Sequence, residues 1–139
     1  MGDVFGVVIT GVSVFVFGQI IVKFLVEPVL RQRRVIGRIA FSLVYYACDF
    51  GNPGIGTRKR LDEASVELRR LASDLRAETQ GIPFYGFWSQ MRLVRGESAV
   101  LSGVGDLIQL SNSVHAGDGA TNLETRRKLE DRLGITSVE

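Results

Sequence analysis

"VFGVVITGVSVFVFGQIIVKFLV", residues 4–26, decides the fold of this chain, because Lys23 is the only charged residue within it. An α-helix rises about 1.5 Å per residue, so residues 4–22 alone reach roughly the 30 Å of a bilayer's hydrocarbon core. Lys23 lies near one end of the run, where its aliphatic stem can carry the ammonium group to the lipid headgroups. The stretch predicts a transmembrane helix.

The residues on either side of this run argue against a cleaved signal peptide. Such a peptide carries a basic leader and a cleavage site of small residues. Here Asp3 precedes the run, and the bulky Phe24 and Leu25 lie at its end. We therefore expect a retained anchor over residues 1–30 and a separate domain over residues 31–139.

The charges that flank the anchor predict its orientation. Only Asp3 is charged before the run, whereas four arginines follow it: Arg31, Arg33, Arg34 and Arg38. Because positive charge is retained on the cytoplasmic side, we expect the N-terminus outside and residues 31–139 in the cytoplasm. The four arginines are also predicted to contact anionic lipid headgroups, at about 1 kcal/mol for each well-placed charge.

Composition also limits which classes of partner, besides lipid, are expected. The chain has 17 basic and 15 acidic residues, and its basic residues are not interleaved with aromatics as in nucleic-acid-binding segments, so nucleic acid is not an expected partner. The single cysteine, Cys48, can form no disulfide within the chain. We expect it to be a small buried apolar residue.

A second helix is predicted beyond the anchor, over residues 29–50, after a kink or short break at Pro28. Its apolar residues recur at helical spacing: Ile36, Ile39, Leu43, Tyr46 and Phe50. Only ten uncharged residues separate Arg38 from Asp49, about half of what a membrane span needs. This helix is therefore expected on the membrane surface or in the core of the cytosolic domain.

The glycine-rich stretch "GNPGIGT", residues 51–57, is predicted to be a turn. Gly51 and Gly56 have the spacing of a phosphate-binding loop, but Thr57 stands where that loop requires lysine. No strand leads into the stretch, so the pattern does not predict a phosphate site.

Three further helices follow in the sequence. Residues 58–80 carry an apolar stripe of Leu61, Ala64, Leu68, Leu71 and Leu75. Residues 96–114 carry Val100, Val104, Leu107 and Val114 on one face, widened by Leu101, Ile108 and Leu110. A last helix begins with a capping box of Thr121 and Glu124 and turns Leu123, Leu129 and Leu133 inward.

This last helix is also predicted to hold a Glu124–Lys128 ion pair and to end at Gly134. No segment has the alternation of a strand. The predicted fold is all-α, with one N-terminal transmembrane helix followed by a small cytosolic bundle of about four helices.

The loop between the helices predicted over residues 58–80 and 96–114 holds four aromatic residues: Phe84, Tyr85, Phe87 and Trp88. Beside a membrane anchor, with Arg92 and Arg95 close behind, they are candidates for an interfacial contact with lipid. The alternative is a hydrophobic plug that closes the bundle.

No pattern of catalytic or metal-binding residues is found. His115 is the only histidine and Cys48 the only cysteine, which excludes zinc sites built from several such ligands. Ser111, Ser113 and Asp118 lie near His115 but supply neither a strained nucleophile turn nor an oxyanion hole. We predict no catalytic residue, no metal and no cofactor, and the chain is not expected to be an enzyme.

Small residues inside the span are candidates for self-association. Gly11 and Gly18 lie seven residues apart, and small side chains let membrane helices approach closely. Gln19 can add a hydrogen bond between helices. A homo-oligomer, including a narrow pore, is therefore one hypothesis.

Several stretches together resemble an uncharacterised family of short single-pass bacterial membrane proteins with a cytosolic helical domain: "KFLVEPVLRQRRVIGRIA", the "NPG" turn, "LRRLASDLRA" and "LIQLSNSV". The resemblance covers most of the chain from Gln19 onward and departs at Arg38, where the family pattern has an acidic residue. It implies the layout described above and a bacterial inner membrane, and it implies no activity.

Two functional hypotheses follow. The first is a non-enzymatic, membrane-tethered interaction or adaptor module that binds an unidentified protein. The second is a self-associating, membrane-active effector or pore.

Overall fold

The computed structural model describes residues 1–136, all of whose regular elements are helical. The last three residues of the predicted 31–139 domain lie outside the described part. The helices are α1 (Gly2–Ile21), α2 (Glu27–Tyr45), α3 (Ala47–Gly51), α4 (Arg58–Gln80), α5 (Tyr85–Gln90), α6 (Glu97–Ser113) and α7 (Gly119–Leu133). A π-helical turn, Val22–Val26, joins α1 to α2. The all-α prediction is confirmed.

The anchor and the second helix form one continuous helix of 44 residues, Gly2–Tyr45. The short break predicted at Pro28 is therefore wrong, whereas the kink that was its alternative stays a prediction. A proline inside an α-helix lacks a donor, and its ring clashes with the carbonyl four residues earlier, here that of Phe24. The π-helical turn just before Pro28, in which the Glu27 amide donates to the Val22 carbonyl, widens the helix there and lets it continue.

The second helix ends at Tyr45, five residues earlier than predicted, because Tyr46 leaves helical geometry (φ −99°, ψ 16°). The chain then turns into the short α3, which directs Asp49 and Phe50 inward. Cys48 lies on the outer side of α3 and is exposed. The expectation of a buried cysteine was wrong, since the change of direction at Tyr46 moves residue 48 off the buried face.

One face of the second helix packs in the bundle core. Its residues Val35, Ile39 and Leu43 are buried together with the stripe of α4. That stripe confirms the prediction for residues 58–80, since all five of its members are buried: Leu61, Ala64, Leu68, Leu71 and Leu75. α4 lies between α2 and α6, and α6 in turn packs on α7.

The predicted inner face of α6 is partly corrected. Leu110 is buried with the other predicted residues, but Leu101 and Ile108 are exposed. Gly103 faces α7 so closely that a Cβ atom there would lie 3.3 Å from Leu129 Cδ1. This glycine lets the two helices approach each other.

The start of α7 is also corrected. Asp118 is the N-cap residue, and its Oδ2 accepts the Thr121 amide at 2.9 Å, so the predicted capping box is wrong. Leu123 is exposed, because the inward positions of α7 are residues 122, 125, 129, 130 and 133.

The other predictions for α7 are confirmed. Glu124 and Lys128 form the expected ion pair at 2.6 Å. Gly134 ends the helix in the left-handed region, with φ 69°.

Candidate functional site: the end of the bundle beside the apolar helix

The surface of α1 is apolar on every side and none of its residues is buried. By length and composition, the Gly2–Tyr45 helix is long and apolar enough to cross a membrane, a property that a signal sequence shares. A helix that is hydrophobic all round requires an apolar environment. Within residues 1–136 no other part of the chain covers α1, so that environment must come from outside the bundle.

The loop after α4 lies against the base of this helix. A recess of about 510 Å³ there is lined by Phe24 and Leu25 from the end of the apolar run and by Pro83 and Phe84 from the loop. Lys23 lines the same recess. The aromatic loop is therefore at the end of the bundle that adjoins the apolar helix, although Phe84 is 60 residues from Phe24 in sequence.

The four aromatic candidates divide into two pairs. Tyr85 is buried against Val29 and Ile82, and Trp88 is half-buried beside them with its Nε1 donating to the Pro83 carbonyl at 3.0 Å. Phe84 and Phe87 are 78% and 56% exposed. The plug interpretation holds for Tyr85 and Trp88, whereas lipid contact stays a prediction for the exposed pair, Phe84 and Phe87.

A buried polar network holds this loop to α2. Gln32 is buried and its Nε2 donates to Thr79 Oγ1 at 2.8 Å and to the Tyr85 hydroxyl at 3.1 Å. The Tyr85 hydroxyl in turn donates to the Arg95 carbonyl at 2.8 Å. Burial raises the pKa of Tyr85, and the bond from Gln32 partly opposes that change. Gln32 thus links α2, α4 and the aromatic loop.

Of the four arginines that follow the apolar run, three contact other parts of the bundle. Arg31 pairs with Glu78 at 3.4 Å, and Arg38 lies within 3.4 Å of both Asp74 and Glu67. Arg33 donates to the Leu93 carbonyl at 2.8 Å. Arg34, by contrast, is exposed and has no ion pair with any residue from 1 to 136.

The four arginines lie at different distances from the end of the apolar run, measured along the helix axis. Arg38 lies 12 residues beyond Val26, which is about 18 Å along the helix axis. The headgroup layer on each side of a bilayer is only about 5–7 Å deep. If this helix crosses a bilayer near its normal, Arg31, Arg33 and Arg34 would lie within or close to the headgroups and Arg38 would lie beyond them. Headgroup contact by these arginines remains a prediction.

The self-association candidates are fully accessible. Gly11, Gly18 and Gln19 are exposed, and a Cβ built on either glycine would meet nothing within 4 Å. Self-association through them stays a prediction.

The polar residues around His115 each interact with a different partner. His115 Nε2 lies 3.3 Å from Asp62 Oδ1, Ser111 donates to the Ile108 carbonyl, and Asp118 caps α7. The structure does not bring these side chains together as a nucleophile, a base and an acid.

One further surface was not singled out from the sequence. Phe41, Val44 and Tyr45 lie on the outer face of α2 and are each more than half exposed. The Phe41 and Tyr45 rings stack at 5.8 Å, and the Arg60 guanidinium lies 5.4 Å from the centre of the Tyr45 ring. We call Phe41, Val44 and Tyr45 the distal patch. Their spacing of three and four residues was the available signal.

No protein-family model, no curated protein and no solved structure matches this chain. The resemblance to short single-pass bacterial membrane proteins therefore stays an interpretation of the quoted stretches, and the functional conclusions rest on the geometry described above.

Proposed function

We propose that this chain is a non-enzymatic, single-pass membrane protein whose helical bundle is an interaction or adaptor module at the cytoplasmic face of a bacterial inner membrane. One observation carries the proposal. A single continuous helix, Gly2–Tyr45, is wholly exposed and apolar over α1 and is buried along one face over α2. The anchor and the bundle therefore share one rigid element.

The rigid connection sets where the bundle presents its surfaces. Phe41 and Tyr45 lie 15 and 19 residues beyond Val26, which is about 22–28 Å from the end of the apolar run. An exposed group of aromatic and aliphatic side chains with an adjacent arginine has the chemistry of a protein-binding hot spot. The distal patch is thus held away from the lipid, facing the cytoplasm, where a protein partner would bind.

Topology is the first test. We expect a reporter fused to the C-terminus to read as cytoplasmic, and replacing Arg31, Arg33, Arg34 and Arg38 with glutamate to disturb that orientation. A periplasmic reading of the unaltered chain would overturn the proposal.

Partner binding is the second test. Full-length chain is purified from mildly solubilised native membranes, and the co-purifying proteins are quantified by mass spectrometry. We expect Phe41→Asp with Val44→Asp to lose a partner that the unaltered chain retains. Leu101→Asp with Ile108→Asp is the matched control, because these two residues are also exposed apolar side chains, on α6.

A second candidate function is a self-associating effector or pore. It is favoured by the open faces of Gly11 and Gly18 on a helix with no packing partner in residues 1–136. Gly11→Leu with Gly18→Leu is expected to abolish ion leakage on overexpression while leaving insertion intact. An unaltered chain that causes no leakage would exclude this function.

A further inference from the structure

A cleft of about 700 Å³ opens between α2, the loop that follows α5, and the end of α7. Three arginines line it: Arg33 from α2, and Arg92 and Arg95 from the loop. Among the residues that the structure describes, no aspartate or glutamate lines this cleft. We call it the arginine cleft.

The arginines of this cleft differ from their neighbours in pairing. Arg31 and Arg38 are neutralised by acidic residues of α4. Arg92 and Arg95 are exposed, and neither has an ion pair with any residue from 1 to 136. Arg33 uses one guanidinium nitrogen to hold the Leu93 carbonyl at 2.8 Å, which fixes the loop beside α2. Three positive charges are thus gathered without a counter-charge from residues 1–136.

The backbone around the cleft is adapted to these side chains. Arg92 has a left-handed conformation, φ 58°, which residues other than glycine adopt only at a cost. Gly134 leaves room for Arg95, because a Cβ on this glycine would lie 2.8 Å from the Arg95 guanidinium carbon. A strained backbone conformation and close packing around a side chain are expected where that side chain is held in place for a ligand.

We propose that the arginine cleft binds a phosphate group. A guanidinium donates two parallel N–H bonds to a pair of phosphate oxygens, so arginines that have no acidic partner among residues 1–136 favour this anion class. The phosphate belongs either to the headgroup of an anionic lipid or to a soluble molecule.

The position of the cleft makes a headgroup accessible. Arg33 lies seven residues beyond Val26, about 10 Å along the helix axis. The loop after α4 lies beside Phe24 and Leu25 at the base of the apolar run, and the short α5 leads from that loop to Arg92 and Arg95. The headgroup source rests on the proposed placement of the bundle at the bilayer, whereas phosphate binding itself does not.

Trp88, the only tryptophan, provides a direct readout, since it lies next to the cleft residue Ser89. Full-length chain in a neutral detergent is titrated with phosphatidylglycerol, with phosphatidylcholine and with pyrophosphate while Trp88 emission is followed. We expect saturable binding of at least one anionic probe, weakened by salt. Saturation by phosphatidylglycerol alone assigns a lipid headgroup, and saturation by pyrophosphate assigns a soluble phosphate. If neither anion saturates, the proposal is overturned.

Two variants test the arginines. Arg92→Gln with Arg95→Gln is expected to weaken binding about tenfold or more, since each removes a charged hydrogen-bond donor. Arg70→Gln with Arg76→Gln removes the same charge from the exposed surface of α4 and should leave binding intact. Equal weakening by both pairs would refute the assignment.

Arg92→Gly separates ligand binding from folding. Glycine adopts a left-handed conformation without strain, so this variant should be at least as stable as the unaltered chain and yet bind the anion less tightly. Unchanged affinity would contradict the role of Arg92. Membrane insertion, measured on the same variants, should not change, so failure of the cleft is distinguishable from failure of the anchor.

Discussion

The two halves of the Gly2–Tyr45 helix are built for different surroundings. In α1 no residue is buried and apolar side chains point in every direction. In α2 the apolar side chains gather on one face, where Ile39 and Leu43 are almost completely buried. A helix with an all-round apolar surface suits lipid, and one with a single apolar face suits a protein core. The surroundings that suit this one helix therefore change close to the π-helical turn.

The largest expected effect comes from placing charge in the first half. Val12→Asp with Phe15→Asp puts two carboxylates near the middle of the span, at a cost of about 5–7 kcal/mol on an insertion scale. We expect loss of the chain from the carbonate-washed membrane fraction. Phe41→Asp with Val44→Asp makes the same change on the exposed face of α2 and should leave insertion intact. If the Val12→Asp, Phe15→Asp variant still inserts, the two halves of the helix do not differ in the surroundings they require.

The next effect tests the second half with two adjacent residues. Leu43 is 1% exposed and Val44 is 54% exposed. Leu43→Ala should lower the free energy of unfolding of the bundle by about 2–5 kcal/mol, because it leaves a cavity. Val44→Ala should change it by about 0.5 kcal/mol or less. Thermal unfolding in detergent, followed by Trp88 emission, measures both, and similar losses would show that α2 has no distinct buried face.

A smaller effect compares two glutamines of the same helix. Gln32→Leu removes the donor to Thr79 and Tyr85, and we expect a loss of about 1–3 kcal/mol from the bundle. Gln19→Leu, in the exposed half, should leave bundle stability unchanged. Denaturant titration of the two variants gives the comparison, and a stable Gln32→Leu chain would mean that the buried network is dispensable.

The smallest effect is a response to acid that only the bundle should show. The hydroxyl and amide of Thr121 donate to Asp118 and lower the pKa of its carboxyl group, and Lys128 lowers the pKa of Glu124. A group whose pKa is lower in the folded state contributes stability above its unfolded pKa and loses it as the pH falls through the folded value. Bundle stability should therefore decline below about pH 4, while membrane insertion should not change.

Asp118→Asn tests the source of this acid response. Asparagine keeps a side-chain oxygen for the cap but does not titrate, so the decline should become shallower, with the remainder due to Glu124. Thermal unfolding across a pH series measures the slope. An unchanged slope would show that Asp118 does not contribute.

Local patterns were enough for the long helices. The stripe from Leu61 to Leu75 predicted α4 with its observed bounds, since regular spacing of apolar residues leaves one face to bury. Position-specific predictions were less accurate where neighbouring elements compete for the same residue. Thr121 and Asp118 both suit an N-cap, and the local sequence does not decide between them. Cys48 was misplaced because the turn at Tyr46 interrupts the helical period.

The candidate site depended far more on tertiary structure. The sequence indicated the aromatic loop and the arginines, but it contained no information on which of them face each other. Tyr85 is buried by contacts with Val29 and Gln32, more than 50 residues earlier in the chain. Arg31 and Arg38 pair with acidic residues of α4, whereas Arg92 and Arg95 have no ion pair within residues 1–136, and both outcomes depend on distant elements.

The sequence by itself determined that this protein has an apolar helix long enough to cross a membrane and an all-α domain after it. Both follow from composition and periodicity, which act over a few turns of helix. Only the tertiary structure decided that the anchor continues unbroken into the bundle, that the aromatic loop lies at the base of the anchor, and that three arginines share one cleft. These features depend on long-range packing, and no local pattern encodes which segments will meet.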